Sequence, residues 1–263
     1  MRLPHVLEWL DANRPDALCL QETKLPDERF PLAALREAGY AAVYAGQKTY
    51  NGVAILTRLE TVGEANQVVI GNPHFPDEQR RLIAATVADV RIVNGYFPNG
   101  QAPDSDKFVY KLAWLDALAH WLAEERARYP ALALMGDFNI TRDDADVHDP
   151  VAWRDQIHCT EAERSRLAAL LQSGLVDIFR HFDPPPGSYS WWDYRQGAFR
   201  RNAGLRIDLI LLTQTLAEQA TACTIDRAAR KREQPSDHAP VTVEIARAHG
   251  SARHDLSPRD PAP

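Results

Sequence analysis

No stretch of this sequence approaches the roughly 18 consecutive apolar residues that cross a bilayer. No secretory signal is visible either. The first residues place Leu3, Val6, Leu7 and Leu10 on one face, as an amphipathic helix does. No membrane partner is therefore expected. Cysteine is scarce: Cys19, Cys159 and Cys223 are odd in number and far apart. That argues against a disulfide framework or a cysteine-based zinc site and fits a reducing compartment, so the expected location is cytoplasmic. There is no internal repeat, and no linker divides the chain. Its 263 residues suit one large domain over 1–246. The last segment, 247–263, is poor in apolar residues and rich in proline, and reads as a disordered tail. No surplus apolar stripe suggests self-association, so a monomer is expected.

The formal net charge is −6, which taken alone counts against nucleic acid as a partner. The charge is uneven, however. Arg195, Arg200, Arg201 and Arg206 share a segment whose only acid is Asp193, and Arg227, Arg230, Lys231 and Arg232 form a second cluster. Such clusters make a local phosphate-binding surface, or else simply solvated loops.

Strand-like and helix-like segments alternate. Short apolar runs at 17–20, 53–57, 91–97, 131–135, 205–212 and 241–245 read as strands; 104–129 and 161–173 carry helical apolar stripes, the second closed by Gly174. The order suggests an α/β layered fold. Glu22, Tyr96, Asp137, Asn139, Asp208, Asp237 and His238 all fall at or beside ends of predicted strands, where α/β folds place their sites. Four of these are carboxylates set against apolar stretches. Such a group is costly near a core unless it is paired, hydrogen-bonded or bound to metal. As a set, with amides and a histidine nearby, they suggest a hard cation, Mg²⁺ or Mn²⁺. Singly, Asp137 reads equally well as a turn cap and Asp208 as a partner of Arg206. Of the adjacent Trp191 and Trp192, which a strand would point to opposite faces, one is expected in the core.

Five segments occur in a fixed order: LQETK (20–24), NGYFPNG (94–100), GDFN (136–139), GLRIDLIL (204–211) and PSDHAPV (235–241). With SWWDYR (190–195), GQK (46–48) and QRR (79–81), they make the sequence resemble the exonuclease III family of AP endonucleases, in the DNase I-like endonuclease/exonuclease/phosphatase superfamily, over about residues 1–246. The resemblance implies a four-layer α/β sandwich of two mixed β-sheets flanked by helices. It also implies a Mg²⁺-dependent (or Mn²⁺-dependent) DNA repair nuclease, cutting double-stranded DNA 5′ to abasic sites and acting at 3′ ends. On that pattern Glu22 is a metal ligand, with Asp137, Asn139, Asp237 and His238 at or beside the metal. Asp137 positions or deprotonates the attacking water, Asn139 and Tyr96 approach the phosphate, and Asp208 orients His238. His238 acts as general base or as a protonated stabiliser, and the sequence leaves that choice open. Trp191 packs against the flipped-out abasic sugar, and Arg195, Arg200, Arg201, Arg206 and Lys48 contact DNA, with Arg80 and Arg81 as weaker candidates. Two other readings compete: a phosphatase or phosphodiesterase for a small phosphorylated molecule, and an inactive DNA-binding homologue.

The pattern departs at one place. Such proteins open with a core strand whose terminal Asn helps hold the metal, whereas this sequence starts at MRLPHVLEWL, the helix that follows. A misplaced start codon, a trimmed chain and a natural variant of weakened activity are three accounts of this. Without that strand, its two neighbours would keep unpaired backbone groups and an open edge. Thermal melts of the chain with and without a restored strand are expected to show a higher Tm for the longer chain; equal values would refute the expectation.

Overall fold

The computed structural model describes residues 2–246, so the expected disordered tail over 247–263 lies outside the described residues. In chain order the elements are α1 (Leu3–Asn13), β1 (Ala17–Leu20), α2 (Leu32–Glu37), β2 (Tyr40–Ala45), β3 (Val53–Arg58), β4 (Asn66–Ile70), β5 (Leu82–Val87), β6 (Val90–Tyr96), α3 (Asp106–Arg128), β7 (Leu132–Asp137), α4 (Glu161–Gln172), β8 (Leu175–Asp177), α5 (Ile178–His181), α6 (Ala198–Arg201), β9 (Asp208–Thr213), α7 (Gln214–Ala217), β10 (Ala220–Ile225) and β11 (Val241–Ile245). The expected α/β fold is present, together with β2, β4, β5, β8 and β10, which the sequence reading did not single out. None of the described helices is long and apolar enough to cross a membrane.

Local chemistry sets the helix ends. Ser105 caps α3 by accepting from the Phe108 amide at 3.2 Å, and Thr160 and Glu163 form a reciprocal capping box at the start of α4. The β6–β7 pair is parallel, so it needs a crossover, and α3 supplies it.

Period-two burial builds the layers. In β5, Leu82 and Ala84 face α3 and α4, while Ile83, Ala85 and Val87 face the opposite sheet. In β7, Leu132 and Leu134 take the helix side and Ala133 the other; β9 repeats this with Leu209 and Leu211 against Ile210 and Leu212. In β3, Val53 and Ile55 point between the sheets, and Ala54 and Leu56 pack under α1 and α2 with Leu10 and Leu35. The layer order is thus α1/α2, sheet, sheet, α3/α4.

The strands group differently from the expected two mixed sheets. One sheet is mixed, six-stranded and ordered β4-β5-β6-β7-β9-β8; a three-stranded sheet β1-β3-β2 and a two-stranded sheet β10-β11 are both antiparallel. Among the described residues, β1 pairs only with β3 and β11 only with β10, so nothing joins these two into one sheet.

At the end of β6 and β7 two glycines face each other, Gly95 opposite Gly136. Gly136 has φ 141°, and a Cβ there would collide with the Gly95 carbonyl oxygen. Gly136→Ala is expected to cost about 1–3 kcal/mol of stability through backbone strain, seen as a lower urea midpoint. An unchanged midpoint would show that the close approach is dispensable.

Candidate active site

Three strands deliver the site. In the six-stranded sheet Tyr96 lies opposite Asp137 across β6–β7, and Asp137 lies opposite Asp208 across β7–β9. His238 arrives on the loop before β11. Its position is fixed by backbone hydrogen bonds between residues 190–192 and 237–239: the Trp192 amide donates to the Asp237 carbonyl at 3.0 Å and the Ala239 amide to the Ser190 carbonyl at 2.7 Å. The fully buried Ser190 hydroxyl also accepts from the amides of Ile207 and Asp208, at 3.1 and 3.0 Å, and so holds the start of β9.

His238 Nδ1 lies 3.0 and 2.9 Å from the two Asp208 carboxylate oxygens, which fixes the imidazole with Nδ1–H as donor. Its Nε2 lies 3.9 Å from Asp137 Oδ2. Burial works against the imidazolium, but Asp208 and then Asp137 outweigh it and lift the His238 pKa to about 10. Asp137 is 6% exposed. Burial, opposed by His238 and reinforced by Asp208, pushes its carboxyl up to about 7. The Asn139 backbone amide donates to Asp137 Oδ1 at 3.0 Å and its side-chain amide to Oδ2 at 3.0 Å.

Asn139 holds a left-handed backbone, φ 51°. The groups behind it explain how. Its carbonyl accepts from Lys111 Nζ at 2.8 Å and from His158 Nδ1 at 2.6 Å. Lys111 is ion-paired with Glu163 at 2.5 Å, both side chains fully buried. Burial, with Lys111 adding to it, pushes the His158 pKa down to about 3, so this imidazole is neutral and its Nδ1–H donates. Asn99 Nδ2 donates to Asn139 Oδ1 at 3.3 Å. The sequence does not mark Asn99, Ser190 or Lys111 as site residues, and it offers His148 and His158 as histidines of a loop near the pocket or, more readily, of the surface; His158 is in fact buried. Asn99 and Ser190 stand inside segments already quoted, NGYFPNG and SWWDYR. Lys111 gives no signal, and the supporting role of both Lys111 and His158 exists only once α3 and the loop before α4 meet behind Asn139.

Glu22, with φ 52°, is exposed at the rim. Its Oε1 accepts from the Tyr96 hydroxyl at 2.6 Å and its Oε2 pairs with Lys24 at 3.0 Å. Burial and Glu22 both raise the Tyr96 pKa, so it stays a phenol. The ligand atoms of Asp137, Asp208 and His238 lie within 4.8 Å of one another. Among the described residues the buried Asp137 has no ion-pair partner but His238. Together with Glu22, this oxygen-rich set fits a hard divalent ion. Asp237 is turned away from the cluster, its carboxylate accepting from Trp191 Nε1 at 3.1 Å and the Tyr194 hydroxyl at 3.4 Å.

Trp192 is the core member of the tryptophan pair, fully buried, and Trp191 is part-exposed, packed on Val147, Leu205 and Ile207. Lys48, Arg195, Arg200 and Arg201 are exposed, although Arg195 is clasped by Asp193 at 2.6 Å. Arg206 corrects the sequence reading. It cannot contact DNA, nor does it pair with Asp208. Its guanidinium is buried and binds Asp146 at 2.7 and 2.9 Å and Asp177 at 3.0 and 2.6 Å. In the second basic cluster, Arg230 is buried against Phe199 and Tyr194, and Arg232 bonds Glu8 and the His5 carbonyl.

A layered α/β fold that gathers carboxylates, an Asp–His pair and amides at its strand ends defines a phosphoesterase class. The model of the endonuclease/exonuclease/phosphatase family matches residues 3–238. Exodeoxyribonuclease III of Haemophilus influenzae is 35% identical over 255 residues, covering 92% of this chain and 94% of that protein. The Neisseria 3′ phosphatase NExo bound to product DNA hairpin superposes with TM-score 0.90 at 46% identity, covering 93% of this chain and 94% of that one. An AP endonuclease from Archaeoglobus fulgidus gives TM-score 0.88 at 37% identity, with 93% and 94% covered. The chain belongs to the endonuclease/exonuclease/phosphatase family, as a nuclease of the exodeoxyribonuclease III type.

The electrostatics give a measurable pH behaviour. In metal-free protein His238 is expected to stay protonated at neutral pH and to titrate near 10 rather than at its ordinary 6.5. Its charge then contributes stability in full below pH 6.5, and that contribution is lost as pH rises through about 10. Imidazole NMR titration reads the midpoint directly. Asp208→Asn should bring it down, and an identical midpoint in the variant would show that Asp208 does not set the charge.

Proposed function

We propose that the chain is a Mg²⁺-dependent (or Mn²⁺-dependent) DNA repair nuclease, which hydrolyses phosphodiesters 5′ to abasic sites and removes nucleotides or blocking groups at 3′ ends of double-stranded DNA. It works as a monomer in the cytoplasm. The observation that carries this reading is the buried Asp137 carboxylate facing His238, itself held by Asp208.

A carboxyl pushed toward neutrality suits a general base, and an imidazole kept charged suits stabilisation of negative charge. Asp137 accordingly takes a proton from the attacking water. The water oxygen bonds to phosphorus, the bond from phosphorus to the 3′ oxygen breaks, and that oxygen leaves as the 3′ hydroxyl once protonated. His238 Nε2–H faces the phosphoryl oxygens as charge develops. Tyr96 and Asn99 border the same group, while Asn139, whose amides are spent on Asp137 and the Phe97 carbonyl, acts by orienting that carboxylate. Glu22 and the rim of Asp137 would hold the divalent ion, which supplies Lewis-acid stabilisation of the phosphate and leaving oxygen.

DNA as substrate is supported by the NExo complex with a DNA hairpin and by the exposed Lys48, Arg195, Arg200 and Arg201. The abasic preference rests on the part-exposed Trp191, backed by the buried Val147, Leu205 and Ile207. An abasic sugar is cheap to extrude, and a small apolar wall can receive it.

The test is a nicking assay on a labelled duplex carrying one abasic-site analogue. Cutting immediately 5′ of the lesion is expected with Mg²⁺ and not with EDTA. Asp137→Ala should lose about 10²–10⁴-fold in rate, the usual contribution of a general base. Turnover of small phosphate monoesters with no DNA cleavage would replace this reading with the phosphatase one.

A further inference from the structure

A second cluster of metal-ligating side chains lies on the outer face of α3, apart from the nuclease site. His120 and Glu124 stand four residues apart on α3, one turn above each other on the same face. His74 reaches them from the turn after β4. Its Nε2 is 3.0 Å from Glu124 Oε1, and its ring stacks on that of His120 with centroids 4.7 Å apart and planes at 28°. One ligand atom from each of the three lies within 4.8 Å of the others.

The turn that presents His74 is built, not loose. The His74 amide donates to Asn72 Oδ1 and the Phe75 amide to the Asn72 carbonyl, both at 2.9 Å. Phe75 packs edge-on against Tyr110 of α3 at 5.5 Å, and the Tyr110 hydroxyl bonds Asp77. The same helix thus anchors the turn and carries the other two ligands. Lys111, which supports Asn139, lies nine residues before His120, about 13.5 Å along the helix axis.

We propose that His74, His120 and Glu124 form a second metal site, for a divalent transition ion of the Zn²⁺ type. Two imidazole nitrogens and one carboxylate oxygen suit such an ion, whereas Mg²⁺ prefers oxygen alone. A tetrahedral ion with bonds of about 2.0–2.1 Å needs ligand atoms about 3.4 Å apart. From their present separation, within 4.8 Å, the exposed side chains must rotate to reach that spacing. Three protein ligands leave one position for water or a partner's group. An ion there clamps the 72–77 turn onto α3. This site is independent of the nuclease reading and survives its failure.

The test uses the full, chelator-stripped chain in excess Mg²⁺, titrated with Zn²⁺ by calorimetry and in thermal melts. Wild type is expected to bind one Zn²⁺ at least tenfold more tightly than His74→Ala/His120→Ala or Glu124→Gln, and to gain Tm with Zn²⁺ where the variants do not. All three side chains are exposed, so the variants should fold and keep Mg²⁺-supported nuclease activity. Equal Zn²⁺ affinity in wild type and variants overturns the site. So does Zn²⁺ binding that disappears only in Asp137→Asn, which would place the ion in the nuclease cluster.

Discussion

Tyr96, Asp137 and Asp208 occupy one row across β6, β7 and β9, and the site depends on that register. A strand's side chains alternate faces, so a slip of one residue would send Asp137 to the opposite face and leave Asp208 without His238. The apolar alternation beneath the row holds it: the same slip would turn Leu132, Leu134, Leu209 and Leu211 out of the helix-facing core. The Gly95–Gly136 contact lets the two parallel strands approach closely one residue before the Tyr96–Asp137 pair.

Behind the row stand buried charges whose value is positional. Lys111–Glu163 and Arg206 with Asp146 and Asp177 are removed from water almost completely. Such pairs roughly break even against apolar replacements, but breaking one leaves an uncompensated charge. Each links distant segments. Lys111 ties α3 and α4 to the Asn139 carbonyl. Arg206, two residues before Asp208, ties the loop holding Asp146 and the end of β8 to the start of β9. His158, kept neutral by burial and Lys111, adds a second donor to Asn139. The left-handed Asn139 is thereby over-determined, and Asn139 in turn orients Asp137 through two hydrogen bonds.

The electrostatic result is a division of labour between two neighbouring groups. Asp208 keeps His238 cationic, while burial keeps Asp137 reluctant to ionise. Whether Asp137 or His238 takes the water's proton was undetermined from sequence. The proposed roles, Asp137 as base and His238 as charge stabiliser, rest on these opposed shifts. With Glu22 at the rim, the surplus of carboxylate oxygens gives a cation a place to bind.

Much of this was legible in the sequence. The apolar runs at 17–20, 53–57 and 241–245 and the stripe of 104–129 became β1, β3, β11 and α3, because hydrophobic period and length are local properties. Glu22, Tyr96, Asp137, Asn139, Asp208 and His238 could be picked out by their places at strand ends. Arg206 could not be read correctly: a cationic residue in a basic stretch looks like a surface contact until folding sets Asp146 and Asp177, 60 and 29 residues earlier, on either side of it. Nor could Lys111 and His158, whose partners come from other elements, or the turning of Asp237 toward Trp191 and Tyr194. The sequence by itself determined which strands and helices form and which polar residues end them, since periodicity and turn chemistry act between near neighbours. Only the tertiary structure decided which charges are buried, which pair, and in which protonation state they stand, because burial and Coulomb interactions depend on distances between residues far apart in the chain.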